Sequence, residues 1–155
     1  MADWYPWLIA AHLAATLYMA GVIWFVQLDH YPLLACVGRQ DFVRYETSHR
    51  LRVTCVVAPA MLVEAFSAAA LCHWPPRGVP GWLVWLGMGL VFVNWIATAA
   101  LSVPAHDALS RGYCERTIGR LVRTNWVRTV AWTARAIVAL ALVWPSIALA
   151  TPSEW

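Results

Sequence analysis

Four runs of about twenty apolar residues, roughly 7–28, 51–72, 81–103 and 126–149, constrain this chain more than any other feature. A helix of about 20 apolar residues spans the hydrocarbon core of a bilayer, whereas a barrel strand needs only about ten. Backbone polar groups cannot be left facing lipid, so runs of this length must be helices. The predicted fold is all-α: a polytopic four-transmembrane-helix up-down bundle, with residues 1–155 as a single integral membrane domain. Composition agrees, since charged residues make up 12% of the chain, against about 25% in soluble domains. The opening segment MADWYPWLIAAHL has no basic n-region, and its apolar run is too long for a cleavable signal peptide. It is expected to stay as the first span.

The runs are separated by DHYPLL, CHWPPRGVPG and SVPAHDALSRGYCERTIGR. The second separator, rich in Pro and Gly, predicts a tight turn. The first and third regions are expected to carry short surface helices such as RQDFVRYE and CERTIGRLVR. All eleven basic residues are arginine. Nine of these (Arg39, Arg44, Arg50, Arg52, Arg111, Arg116, Arg120, Arg123, Arg128) lie in or beside the first and third loops. Only Arg77 lies on the other side, and Arg135 falls inside the last run. By the positive-inside rule those two loops are cytoplasmic. The expected location is a bacterial inner membrane, with both termini on the periplasmic side. Trp4, Trp7, Trp74, Trp82, Trp85 and Trp144 then gather at the outer interface as an aromatic belt.

Up-down topology brings separate parts of the chain to one end. His30 closes the first run, Glu46 and His49 precede the second, His106 follows the third and Asn125 opens the fourth. Glu46 and His49 are neighbours on one helix face. Glu46 and Glu64 are eighteen positions apart, about five turns at 3.6 residues per turn, so they share a stripe. His12 and His30 repeat that spacing, and Asn125, Arg128, Trp132 and Arg135 fall within a narrow arc. Charged groups in a membrane helix normally face the bundle interior. The pattern predicts an inward polar seam, densest at the cytoplasmic end.

Imidazoles with a carboxylate suit iron, copper or zinc. His30, Glu46, His49 and His106 are therefore candidate metal ligands, with Asp29 and Asp107 behind them. A haem would need two axial ligands, for which His30 and His106 are the natural choice; His12 would have only His73, in a turn. Iron, copper and haem all stay open. The competing reading makes these groups ordinary interfacial residues whose charged ends reach the headgroups. Asn125 and Arg128 are candidate substrate-positioning residues. Glu64 and Arg135 lie mid-span, either as an ion pair locking two helices or as part of the chemistry. Pro59 frees the carbonyl of Cys55 for a polar contact.

The layout, rather than any motif, is similar to that of small four-helix membrane oxidoreductases. The expected function is a membrane-embedded oxidoreductase or oxygenase with a metal or haem centre, acting on a lipophilic small-molecule substrate. The alternatives are a non-enzymatic subunit of a larger membrane complex, and a proton-coupled carrier using Glu64. A homo-oligomer is compatible with all three. No phosphate loop, nucleophile elbow or zinc-finger spacing occurs, which argues against ATPase, hydrolase and nucleic-acid-binding functions. The four cysteines form no CxxC and are expected to be free thiols.

Overall fold

The computed structural model describes residues 3–148. The first span is α1 (Tyr5–Phe25), a π turn (Val26–His30), α2 (Tyr31–Leu33) and a 3-10 turn (Leu34–Cys36). The second is α3 (Phe42–His73). The third is α4 (Gly81–Ala97), a second π turn (Thr98–Ser102) and α5 (Val103–Leu109), and the fourth is α6 (Glu115–Ala148). No strand occurs among the described residues. All four spans are long and apolar enough to cross a membrane, as a multi-pass membrane protein requires. Residue 149, the expected end of the fourth run, and the terminal residues beyond it lie outside the described residues.

The spans pack in a ring, α1 against α3 and α6, and α4 against α3 and α6. Sequence neighbours are thus antiparallel, and both ends of the bundle collect loops. Between α3 and α4 the chain turns through Gly78, whose φ of 76° is the left-handed conformation that glycine adopts without a Cβ penalty. At this end the six belt tryptophans are all exposed, from Trp4 at 45% to Trp7 at 77%. The outward faces of the spans are largely apolar, with Leu51, Phe66, Ile96 and Ile137 exposed. Lipid is as apolar as these side chains, so close packing and interior hydrogen bonds must hold the helices together. Two apolar clusters fill the interior. One at the histidine end includes Met19, Ile23, Tyr31, Phe42, Leu121 and Trp132, and one at the tryptophan end includes Tyr5, Leu71, Val84, Val138 and Leu142.

The helices run well past the apolar boundaries. RQDFVRYE and CERTIGRLVR are not separate surface helices: Phe42 and Glu115 begin α3 and α6 themselves. These extensions carry Glu46, His49 and Asn125 on rigid helix rather than on loop. The α6 span is the most enclosed, with 50% of its most apolar window buried against 28–33% for the others. That is why a helix bearing Asn125, Arg128 and Arg135 is tolerated. At Pro59, no side-chain contact is made to the freed Cys55 carbonyl; Tyr18 instead donates to the neighbouring carbonyl of Val56 at 3.4 Å.

Candidate functional site

The first and third spans reach the histidine end through one shared device. Proline has no N–H to donate, and its ring clashes with the carbonyl four residues back. Pro32 and Pro104 each stand in the first turn of a short helix, α2 and α5. Just before each, the helix widens into a π turn, closed by the Tyr31 N–H on the Val26 carbonyl and the Val103 N–H on the Thr98 carbonyl. One inserted residue rotates everything after it by about 100° around the axis. Such turns occur frequently at functional sites. Here the side chains set inward beyond them are Tyr31 and His106.

Those two residues complete a hydrogen-bonded series with α3. Glu46, 0% exposed, accepts from His106 Nδ1 through Oε1 at 2.6 Å. His106 Nε2 meets the Tyr31 hydroxyl at 2.9 Å. With Glu46 as the carboxylate, Nδ1 carries the imidazole proton and Nε2 accepts from Tyr31. Both ring nitrogens of His106 are therefore engaged. A metal or haem bound by His106 would have to displace Tyr31 or Glu46.

His30 and His49 lie alongside. Their ring centroids are 4.2 Å apart, and His49 is 5.5 Å from His106. Nε2 of His30, Nε2 of His49 and Oε2 of Glu46 are all buried without a hydrogen-bond partner. The four expected ligands do assemble. Among the described residues, however, no three His, Cys, Asp or Glu side chains are arranged to hold a metal ion. Neither aspartate hydrogen-bonds to the cluster among the described residues: Asp29, near His30, is exposed, and Asp107 pairs with Arg50 at 3.4 Å and Arg111 at 2.6 Å. His49 also borders a surface groove with Arg44, Tyr45 and Arg52, so its imidazole lies between this cluster and the surface.

Tyr31 and His106 form one end of a cavity of about 230 Å³. Its walls are mostly apolar, with Met19, Ile23, Val53 and Val57 among them, and Ser102 and Arg128 join the polar end. Arg128 is 6% exposed. Its Nη1 donates to Ser102 Oγ at 3.1 Å and to Asn125 Oδ1 at 3.2 Å, and its guanidinium lies 5.2 Å over the Trp132 ring. Asn125 is oriented in turn by its amide donating to Gln27 Oε1 at 3.0 Å.

Nearer the middle of the bundle, Arg135 Nε lies 3.2 Å from Glu64 Oε1, each side chain 1% exposed. The N–H does not point along that line, so this contact is ionic rather than a formed hydrogen bond. Trp132 Nε1 donates to Glu64 Oε2 at 3.0 Å, and Arg135 Nη2 donates to His12 Nε2 at 3.1 Å. His12 Nδ1 then donates to Ser67 Oγ at 2.8 Å, and Ser67 to the Glu64 carbonyl at 3.1 Å. This closed loop joins α1, α3 and α6.

Glu64 and Arg135 form an ion pair, the contact common to both roles that their mid-span positions allowed, apart from the histidine cluster. Arg128 lines the cavity, whereas Asn125 does not and meets it only through its hydrogen bond with Arg128. Sequence reasoning overlooked Tyr31, Ser102 and Gln27. The available signal was a proline one or two residues after Tyr31 and Ser102, in apolar runs that continue beyond it. No protein-family model, curated protein or solved structure matches the chain.

Proposed function

We propose that this chain is a membrane-embedded enzyme that transfers a proton to or from a lipophilic small molecule held in the cavity beside Tyr31. The observation that carries this reading is the Glu46–His106–Tyr31 series, which ends in the wall of a largely apolar cavity. A carboxylate that orients an imidazole, which in turn holds a hydroxyl, is an acid–base arrangement. Tyr31 faces the substrate, His106 takes up or returns the proton, and Glu46 fixes the ring and stabilises its charged form. His49, at the surface groove, exchanges that proton with water. Oxidoreductase chemistry at the same site would need, besides this proton transfer, a separate electron acceptor such as a quinone or a metal centre.

The test uses purified protein in lipid nanodiscs with a panel of long-chain phenols, quinols and enolisable ketones. Solvent deuterium uptake at carbon and product formation are followed by mass spectrometry. At least one compound should react with wild type, and His106→Gln and Glu46→Gln should each slow it by about a hundred-fold or more, the usual contribution of a general acid–base. If no compound reacts faster than in empty nanodiscs, or both variants match wild type, the acid–base reading fails.

A second reading is prompted by the three unpartnered atoms His30 Nε2, His49 Nε2 and Glu46 Oε2, which are not arranged around a metal as they stand and would have to converge to hold one. Two imidazoles and a carboxylate with open positions would suit non-haem iron, and copper is the other candidate. Elemental analysis of protein purified without chelator separates the two. Close to one metal per chain, lost in His49→Ala, supports the metal-dependent form; absence of metal with co-purifying protein partners points to a membrane subunit.

The same proposal places the histidine end in the cytoplasm of a bacterial cell. Cys114 stands immediately before α6, outside the spans, and is exposed. Hydrogen bonds from the Thr117 side chain and backbone hold its thiol pKa below the usual cysteine value. More of it is thiolate at neutral pH than in a free cysteine, so it should react readily. A variant retaining Cys114 as its sole cysteine should be labelled by a membrane-impermeant maleimide in inverted vesicles and not in intact spheroplasts. The reverse pattern would invert the topology.

A further inference from the structure

We infer that the cavity ligand is an organic oxyanion: a weak acid with one ionisable oxygen on an apolar body, of phenol or enol type, held by Arg128 with Ser102 and Tyr31. This deepens the reading of the cavity as the substrate site. It rests on a charge imbalance. Arg50, Arg111 and Arg135 all touch carboxylates. Among the described residues no carboxylate pairs with Arg128, which is nonetheless buried in the bundle. A guanidinium is always protonated, and an uncompensated charge at such a place is expensive.

What surrounds Arg128 stabilises it only partly. Its partners are the Ser102 hydroxyl, an amide oxygen, an indole face and the neighbouring Tyr31 phenol, none of them a carboxylate. Its Nε is buried and has no acceptor. The amide is itself fixed by Gln27, so the guanidinium is held ready before any ligand arrives. A fixed cation with an unused N–H, at the end of an apolar cavity, is complementary to an anion with an apolar body. An inorganic anion would leave the apolar walls unfilled.

The bilayer supplies the route. Thr54 on α3 and Val103 on α5 line the cavity and are exposed on the outer face of the bundle. The mouth therefore opens sideways into lipid between α3 and α5. Arg50 also lines the cavity at this seam, but its charge is offset, since it pairs with Asp107 and donates to Ser110 Oγ at 2.9 Å. A ligand arriving as the neutral acid from lipid would meet Arg128 with its oxygen and lose its proton to Tyr31 and His106.

The test is a spectroscopic titration with an alkyl-substituted 4-nitrophenol, whose phenolate absorbs visibly and whose ionisation lies near neutral pH. Bound to wild type in nanodiscs, its ionisation midpoint should fall by about one to two pH units, the usual effect of a nearby cation. That is a ten- to hundred-fold rise in the phenolate-to-phenol ratio. Arg128→Gln should abolish the fall, and Arg128→Lys should keep part of it. Saturable wild-type binding with an unchanged or raised midpoint overturns the proposal, even if Arg128→Gln does not fold. So does a fall that persists in Arg128→Gln, or a complete absence of saturable binding. His106→Gln should keep the fall while losing turnover, which separates oxyanion recognition from the acid–base reading.

Discussion

Neutralising either partner of the Glu64–Arg135 pair, by Glu64→Gln or Arg135→Gln, is expected to cut the yield of folded protein sharply. Each single change leaves the opposite charge inside the bundle with neutral partners only: Trp132 for Glu64, His12 for Arg135. Breaking a buried pair from one side costs about 3–5 kcal/mol in soluble proteins. The double variant strands no charge and should recover much of the loss. Folded yield by size exclusion, with thermal unfolding in one detergent, measures both effects. Single variants as stable as wild type would mean that this contact contributes nothing, and a double variant worse than either single would mean that the two residues do not act as a pair.

Filling the space at Gly87 is expected to damage the same region from the opposite side. A Cβ there would lie 2.7 Å from Arg135 Nη1 and 3.3 Å from Val138 Cγ1. The guanidinium is the far end of a long side chain, but Glu64 and His12 tie it in place. Gly87→Ala should therefore cost about 1–3 kcal/mol, the usual penalty for overpacking, and Gly87→Val more. In the Glu64→Gln/Arg135→Gln background the shorter glutamine withdraws from the contact. The alanine penalty should then shrink by at least about 0.5 kcal/mol, as expected for coupled neighbours. An unchanged penalty would place the clash on Val138 instead.

The sequence made the architecture legible because hydropathy measures what faces lipid, and most of each apolar run does. It was poorer at locating the helix ends. α6 begins at Glu115, eleven residues before the apolar boundary at 126, which is about three turns. Outside the hydrocarbon a helix has no need to be apolar, so hydropathy is silent there. Helical phase did find the inward seam: Glu46, Glu64, Asn125, Arg128 and Arg135 are all buried. The interior polar contacts were legible as residues and not as partners. Proline was read as a break at DHYP and SVPAH, whereas two π turns absorb it and let the helix continue. The rotation that those turns introduce is what puts Tyr31 and His106 together, and simple 3.6-residue counting cannot carry across it. His12 was set aside for want of a haem partner, and it serves as the acceptor for Arg135.

The closed loop of Glu64, Arg135, His12 and Ser67 also bears on bioenergetics. It stands between the cavity and the tryptophan end, backed by the apolar cluster of Tyr5, Leu71, Val84, Val138 and Leu142. Under the proposed chemistry its fixed ion pair, joined by charge rather than by a formed hydrogen bond, would insulate the cavity from the tryptophan end, and the groove at His49 would provide the aqueous contact on the histidine side. Under that chemistry, protons released in the cavity would return to the compartment they came from. Turnover under the proposed chemistry is therefore electroneutral: a transmembrane voltage should neither drive it nor be generated by it, and an uncoupler should leave its rate unchanged.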